Sequence, residues 1–256
     1  MDICNFAHGD FLTISMYAAL CFSLYLNMDP LLSLPLVVLL IALFGALVYR
    51  LLIRRVLNAP GMAQIFVTFG LMIFIRGITQ FLFTANYQSV SNPLVQGTIN
   101  VFGTALSKPQ LIASFGAIVA TTLVYLFITK TRTGWALQAV SENREAASLM
   151  GISPQKMFIL AWALGSACVG VSGALLAEYY YIYPEVGAMF GSISFVVVAM
   201  AGFGSISGVF VAGLAIGLTE ILGGFYLQPA YKYLLVFSLY FVFIVIRPQG
   251  IMGKKT

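Results

Sequence analysis

The sequence predicts an all-α, polytopic membrane helix bundle of about eight membrane segments, forming one domain over residues 1–256. Three observations predict it. Of the residues, 61% are hydrophobic and only 8% charged, whereas soluble domains are about a quarter charged. So little polar surface cannot cover a water-facing body of this size. Stretches such as 36–48 and 236–246 are apolar on every face. That pattern excludes membrane β-strands, which alternate, and leaves helices, the other backbone that satisfies itself in lipid. The net charge of +5 is carried in short segments between apolar runs rather than on one contiguous face, which excludes a nucleic-acid-binding surface.

A bilayer core of about 30 Å takes roughly 20 apolar residues as a tilted helix. The candidate spans are 11–26, 31–49, 62–83, 111–129 and 157–177, then a long region 188–225, and finally 231–246. The long region is interrupted by Gly202-Phe203-Gly204-Ser205-Ile206-Ser207-Gly208, so it counts as two pieces.

Lys and Arg set the orientation. Arg50, Arg54, Arg55, Lys130, Arg132, Arg144, Lys156, Arg247, Lys254 and Lys255 fall on one side, against Lys108 and Lys232 on the other. The positive-inside rule makes the larger set, and the C-terminus, cytoplasmic. Parity then requires 188–225 to cross twice or to dip as a re-entrant pair. No cleavable signal is visible among the first ten residues, which include Asp2, His8 and Asp10. Cys4, Cys21 and Cys168 read as small buried hydrophobes, not a disulfide framework. The outer side carries Asp29, Glu178, Glu185 and the tyrosines Tyr179, Tyr180, Tyr181 and Tyr183. These tyrosines suit a headgroup belt or a face that receives a partner.

The loop 130–156 is the most informative soluble piece. Thr131-Arg132-Thr133-Gly134 breaks the preceding helix, 135–150 reads as a short amphipathic helix, and Gly151 stops it with Pro154 beyond. Its Glu142, Asn143, Arg144, Glu145, Ala146 and Ala147 fit a helix lying on the membrane, a solvated face, or a docking element. Small residues at Gly187/Gly191, Gly213/Gly217 and Ser166/Gly170/Ala174 allow close helix approach. Gly202, Gly204, Ser205 and Gly208 unwind the backbone, either as a tight turn or along a solute pathway.

Ionisable groups inside apolar runs are functional candidates. Arg76 and Glu220 are such groups; they pair with each other, or Arg76 snorkels to an interface. Asn5, His8 and Asp10 form an N-terminal turn held by local hydrogen bonds rather than a metal or catalytic site, and with Arg76 and Glu220 they are candidates for the translocation pathway or a helix break. No phosphate-binding G-x-x-x-x-G-K-[ST] occurs. Any coupled nucleotide hydrolysis therefore belongs to another polypeptide, and the chain itself needs no cofactor.

Four elements in order resemble the LivH/LivM permeases of branched-chain amino acid ABC importers. They are Asn5-Phe6-Ala7-His8-Gly9-Asp10, Glu142 through Ile152, Gly202 through Gly208, and Arg247-Pro248-Gln249-Gly250-Ile251-Met252-Gly253. The resemblance implies a bacterial inner-membrane importer of two unlike permeases and two cytoplasmic ATPases, fed by a periplasmic binding protein. It makes 142–151 the helix that engages the ATPase, and leucine, isoleucine and valine the expected solutes, with urea or amides as related cargo.

Two departures are visible. The family has a further span before the Asn-Phe-Ala-His-Gly motif, whereas this chain begins four residues ahead of it; the expectation is a truncated or misassigned start, or a member that lacks that span. Its glycine motif commonly reads Gly-Gly-x-Gly-Ser-x-Pro-Gly, where this chain has Ala201 and Ser207. The rival expectations are an ion-coupled carrier using Arg76 and Glu220, and a passive channel. No nucleophile–base or metal constellation points to an enzyme.

Overall fold

The computed structural model describes residues 5–91, 93–101 and 103–252; Cys4, Gly253, Lys254 and Lys255 lie outside the described residues. The helices are α1 (His8–Leu26), α2 (Pro30–Val48), α3 (Arg54–Val56), α4 (Gly61–Phe83), α5 (Lys108–Lys130), α6 (Arg132–Glu142), α7 (Arg144–Leu149), α8 (Pro154–Ala177), α9 (Val186–Ala201), α10 (Ile206–Tyr226) and α11 (Lys232–Ile246). A π-turn, Tyr49–Ile53, joins α2 to α3. Among the described residues seven helical stretches are long and apolar enough to cross a membrane, and α9 is a shorter apolar helix of 16 residues. A two-stranded antiparallel hairpin, β1 (Thr98–Val101) with β2 (Thr104–Ser107), decorates the loop before α5.

The expected spans begin up to three residues late. The reason is local: Pro30, Pro109 and Pro154 occupy first-turn positions, where a missing N–H costs nothing and the fixed φ favours a helix. Polar residues that look like loop are in fact helix starts.

The chain divides into two compact units, Met1–Met189 and Phe190–Thr256, with the boundary inside α9. The first unit is organised on the antiparallel pair α2 and α8, its most extensively packed helices. Small residues make the seam. A methyl group at Gly45 would overlap the Ser166 side chain, and one at Gly170 would lie 2.9 Å from the Val38 Cα. Ala174 is fully buried. The Ser166–Gly170–Ala174 stripe thus serves close approach, as its spacing implies.

The helix α1 joins the pair: Ser15 Oγ donates to the Gly170 carbonyl at 3.1 Å, and a side chain at Gly173 would run into Ser15. It also runs parallel to α4. Arg76 meets Asp10, and seven residues further along both helices Tyr17 stacks on Phe83 at 4.3 Å between ring centroids.

In the second unit, Val196, Met200 and Ala201 of α9 pack with Ala212 and Ile216 of α10 and Val236 of α11. The chain after α11 then folds back. The Ile251 and Met252 N–H groups donate to the Met200 and Ala201 carbonyls at 2.8 and 3.0 Å, satisfying two of the carbonyls that a helix end leaves unpaired. Gly250 sits at φ +84, where a side chain would overlap Gly202. This return explains the glycine of the closing Arg-Pro-Gln-Gly segment. The Gly213/Gly217 pair behaves differently: a Cβ at Gly217 would touch nothing within 4 Å among the described residues.

Adding Leu at Gly170 therefore overpacks a closed seam, at about 1–3 kcal/mol. The expected result is a melting temperature several degrees lower in detergent, while Gly217→Leu leaves it unchanged.

Candidate functional site

The loop between α5 and α8 folds into two short helices instead of the single one expected over 135–150. Thr131 begins the first by accepting the Gly134 N–H on its Oγ1 at 3.0 Å. Gly134 is thus inside α6, not a breaker. Its glycine is required because a side chain would overlap the Phe127 and Ile128 carbonyls at the α5–α6 corner.

Asn143 divides the helices. Its backbone is extended (φ −149, ψ 109) and its Oδ1 accepts the Glu145 and Ala146 N–H groups at 3.0 and 2.9 Å, an N-cap for α7. Gly151, at φ +80, ends α7; Ile152 N–H closes back onto the Ala147 carbonyl at 3.0 Å. Of residues 141–150 only Ala147 is buried. Glu142, Asn143, Arg144, Glu145 and Ala146 are all exposed, and so are two apolar side chains, Leu149 at 89% and Met150 at 82%. The Arg144 guanidinium lies 5.3 Å above the Phe158 ring of α8, a cation–π contact. Phe158 in turn neighbours Tyr49, which opens the π-turn of α2, at 6.3 Å.

A second cluster surrounds the start of α1. Asn5 Oδ1 accepts the Ala7 N–H at 3.1 Å, the expected local turn. His8 is half-buried with its ring 6.4 Å from Phe11. Asp10, 1% exposed, receives Arg76 Nε on Oδ1 at 2.6 Å and Nη2 on Oδ2 at 3.4 Å. Arg76 thus pairs with Asp10 and not with Glu220.

Depth follows from the parallel helices. Arg76 lies seven residues before the end of α4, or about 10 Å at 1.5 Å per residue. The beginning of α1 is therefore level with the interior of another span. The start of α9 reaches the same place, for Gly187 N–H donates to Thr13 Oγ1 at 3.1 Å and its Cα abuts the Gly9 carbonyl. Two positive helix ends and an Arg–carboxylate pair converge here.

The glycine-rich segment forms a compact turn in the second unit. Gly202 and Gly204 take φ +90 and +87, a region closed to most side chains. Ser205 Oγ accepts the Gly208 N–H at 3.0 Å and caps α10. Gly208 is needed for contact, since a Cβ would sit 2.8 Å from the Ala201 carbonyl. Glu220 accepts from Lys232 Nζ at 2.8 Å. Lys232 is on the first turn of α11, so it reaches back to α10 across the connecting turn.

The family described as the permease component of branched-chain amino acid transport systems matches residues 1–245. The chain belongs to that family. It is 28% identical to the high-affinity branched-chain amino acid permease LivH of Escherichia coli, over 98% of this chain and 85% of that protein. It is 27% identical to BraD of Pseudomonas aeruginosa, over 98% and 86%, and 29% identical to the probable LivH of Methanocaldococcus jannaschii, over 98% and 84%. No solved structure matches it significantly. As a member of this family the chain is a multi-pass permease subunit of an ABC importer, working with ATPase and binding-protein partners.

Sequence reasoning missed two features of this permease. The partner of Arg76 was hidden because Asp10 was read as part of a local turn, although an acid in a helix's first turn inside an apolar run is itself a signal. The division of the short 135–150 helix into two, which leaves Leu149 and Met150 exposed, was also missed; Asn143, a preferred cap, was the clue to the break.

The ion pair yields a double-mutant test. Asp10→Asn and Arg76→Gln should each cost about 3 kcal/mol by leaving an unpaired polar group at membrane depth, with a coupling of about 1–3 kcal/mol recovered in the double variant. Melting of the four proteins in detergent measures it.

Proposed function

We propose that this permease imports branched-chain amino acids, and that α6 and α7 form the handle gripped by a separate ATPase. The observation that carries the proposal is the handle itself: outside the candidate spans, α7 presents Leu149 and Met150 to solvent beside exposed Glu142, Arg144 and Glu145. An apolar tip within a charged rim is the pattern of a docking surface. The basic segments lie with the handle on the cytoplasmic side, and the C-terminus shares that side.

Two ATPases and a second, unlike permease complete the transporter, with a binding protein delivering solute to the opposite face. The solutes are leucine, isoleucine and valine, the class named for LivH and BraD.

Transport proceeds by alternating access. ATP binding moves the handle; Arg144 bears on Phe158 and Phe158 on Tyr49, so the motion reaches α8 and the π-turn of α2 together. The helix α8 holds α1 through Ser15 and Gly170. Displacing α1 shifts Asp10 and the helix start where it lies. There, converging helix ends and the Asp10–Arg76 pair suit the two charges of an amino-acid backbone. Asn5 and His8 line the approach, and the Gly202, Gly204, Ser205 and Gly208 turn flexes as a hinge. An ion-coupled carrier has less support, since Arg76 and Glu220 each have a different partner.

Reconstitution with the cognate ATPase and binding protein tests this reading. Uptake should stop without ATP and survive a protonophore; the reverse pattern would establish the carrier. Leu149→Ser should weaken ATPase association roughly tenfold, about 1.4 kcal/mol, with membrane insertion intact. Gly204→Leu, strained at φ +87, should lower transport without loss of ATPase binding, as co-purification would report.

A further inference from the structure

The end of the first unit where α1 turns into α2, and where α8 terminates, holds a cluster that the transport reading does not use. Asp29 caps α2: its Oδ1 accepts the Leu31 N–H at 2.9 Å, and its Oδ2 accepts the Leu94 N–H, from the loop between α4 and α5, at 2.5 Å. Glu178, the first residue after α8, turns to the same point, and its Oε1 accepts the Leu31 N–H at 3.3 Å. The two acids share one donor, the Leu31 N–H, which brings their carboxyl groups side by side.

Both are buried, at 8% and 7% exposure, and Glu178 Oε2 has no hydrogen-bond partner among the described residues. Two ionised carboxylates in this position would repel each other out of water, and one oxygen would have no donor. A single proton removes the second charge and supplies the missing O–H.

We propose that Asp29 and Glu178 form a buried proton-binding site whose one proton fastens the loop between α4 and α5 to the ends of α2 and α8. The loop has an unconditional anchor nearby, since Gln88 and Ile182 exchange backbone hydrogen bonds at 2.9 and 2.8 Å and Tyr87 packs on Tyr183 at 4.8 Å. The Leu94–Asp29 bond is the conditional one. Burial, reinforced by Asp29, pushes the Glu178 carboxyl from its ordinary 4.5 up to about 8.

The surroundings leave the pair to itself. Among the described residues Asp29 is the one charged side chain that raises the Glu178 carboxyl, and residues 84–107 contain no Asp, Glu, Lys, Arg or His. Tyr179 is held above its ordinary value by burial and by Tyr180, so it stays neutral through this range.

The sign is fixed by proton binding. Between about pH 4.5 and 8 the folded protein keeps a proton that the unfolded chain has released. The stability this proton confers is complete below the lower value and is lost as pH rises through the upper one. The inference concerns neither the solute nor the sidedness of the membrane, so it stands or falls independently of the importer reading.

The test uses the full chain in detergent, titrated from pH 5 to 10. The infrared band of a protonated carboxyl should disappear with a midpoint near 8 and be missing in Glu178→Gln. The wild-type melting temperature should fall from pH 5 to about 8 and level off above it, whereas Glu178→Gln, which keeps a donor at all pH values, should stay flat. A spin label at Gln96→Cys, in a chain whose native cysteines are replaced, should become mobile above pH 8 only when Glu178 is present. A carboxyl midpoint in the ordinary acid range, or a Gln variant with the wild-type slope, would overturn the proposal. So would a melting temperature at pH 9 restored by sodium or calcium ions, because the pair would then be a cation site.

Discussion

The antiparallel seam between α2 and α8 is the constraint on which the first unit depends. Lipid offers no hydrophobic reward for joining two apolar helices, so they associate only where small side chains let their backbones come close. Gly45 against Ser166, and Gly170 against Val38, provide that approach. The two ends of the seam follow from it. At one end Tyr49 and Phe158 lie together under Arg144 of the handle; at the other Asp29 and Glu178 meet. The α2–α8 pair thus connects the α6–α7 segment to the far end of the same two helices.

The second constraint is that polar groups at membrane depth must find partners within the protein. The start of α1 would otherwise expose unpaired N–H groups in an apolar layer. Asn5 satisfies the Ala7 N–H, Asp10 places its charge at the positive end of the helix, and Arg76 neutralises Asp10. The same logic governs the end of α9, whose last carbonyls accept N–H groups from Ile251 and Met252. Segments with family motifs are those where a helix begins or ends. Their residues are demanded by backbone chemistry before any solute is considered.

The spans were legible because lipid imposes a length and a composition that a single sequence displays. Their starts were less so, since proline and polar first-turn residues resemble loop. The handle was legible as an element, and Gly151 as its stop, but not as two helices: the division rests on the capping geometry of Asn143. Among the ionisable groups, sequence marked Arg76 and Glu220 as costly without revealing what relieves them. Their partners, Asp10 and Lys232, are 66 and 12 residues away. The nearer one lies across a short turn, whereas the distant one requires knowing that α1 runs beside α4.

Sequence alone determined that this chain lives in lipid, where its helices run, and which ordered motifs tie it to a permease family. Those properties are set by composition, period and local chemistry. Tertiary structure decided which glycines are contacts and which are bare surface, which acid neutralises Arg76, and that Asp29 and Glu178 meet at all. Each of those outcomes depends on helix neighbours distant in the chain, and pairing between distant segments is set by packing, which no local pattern encodes.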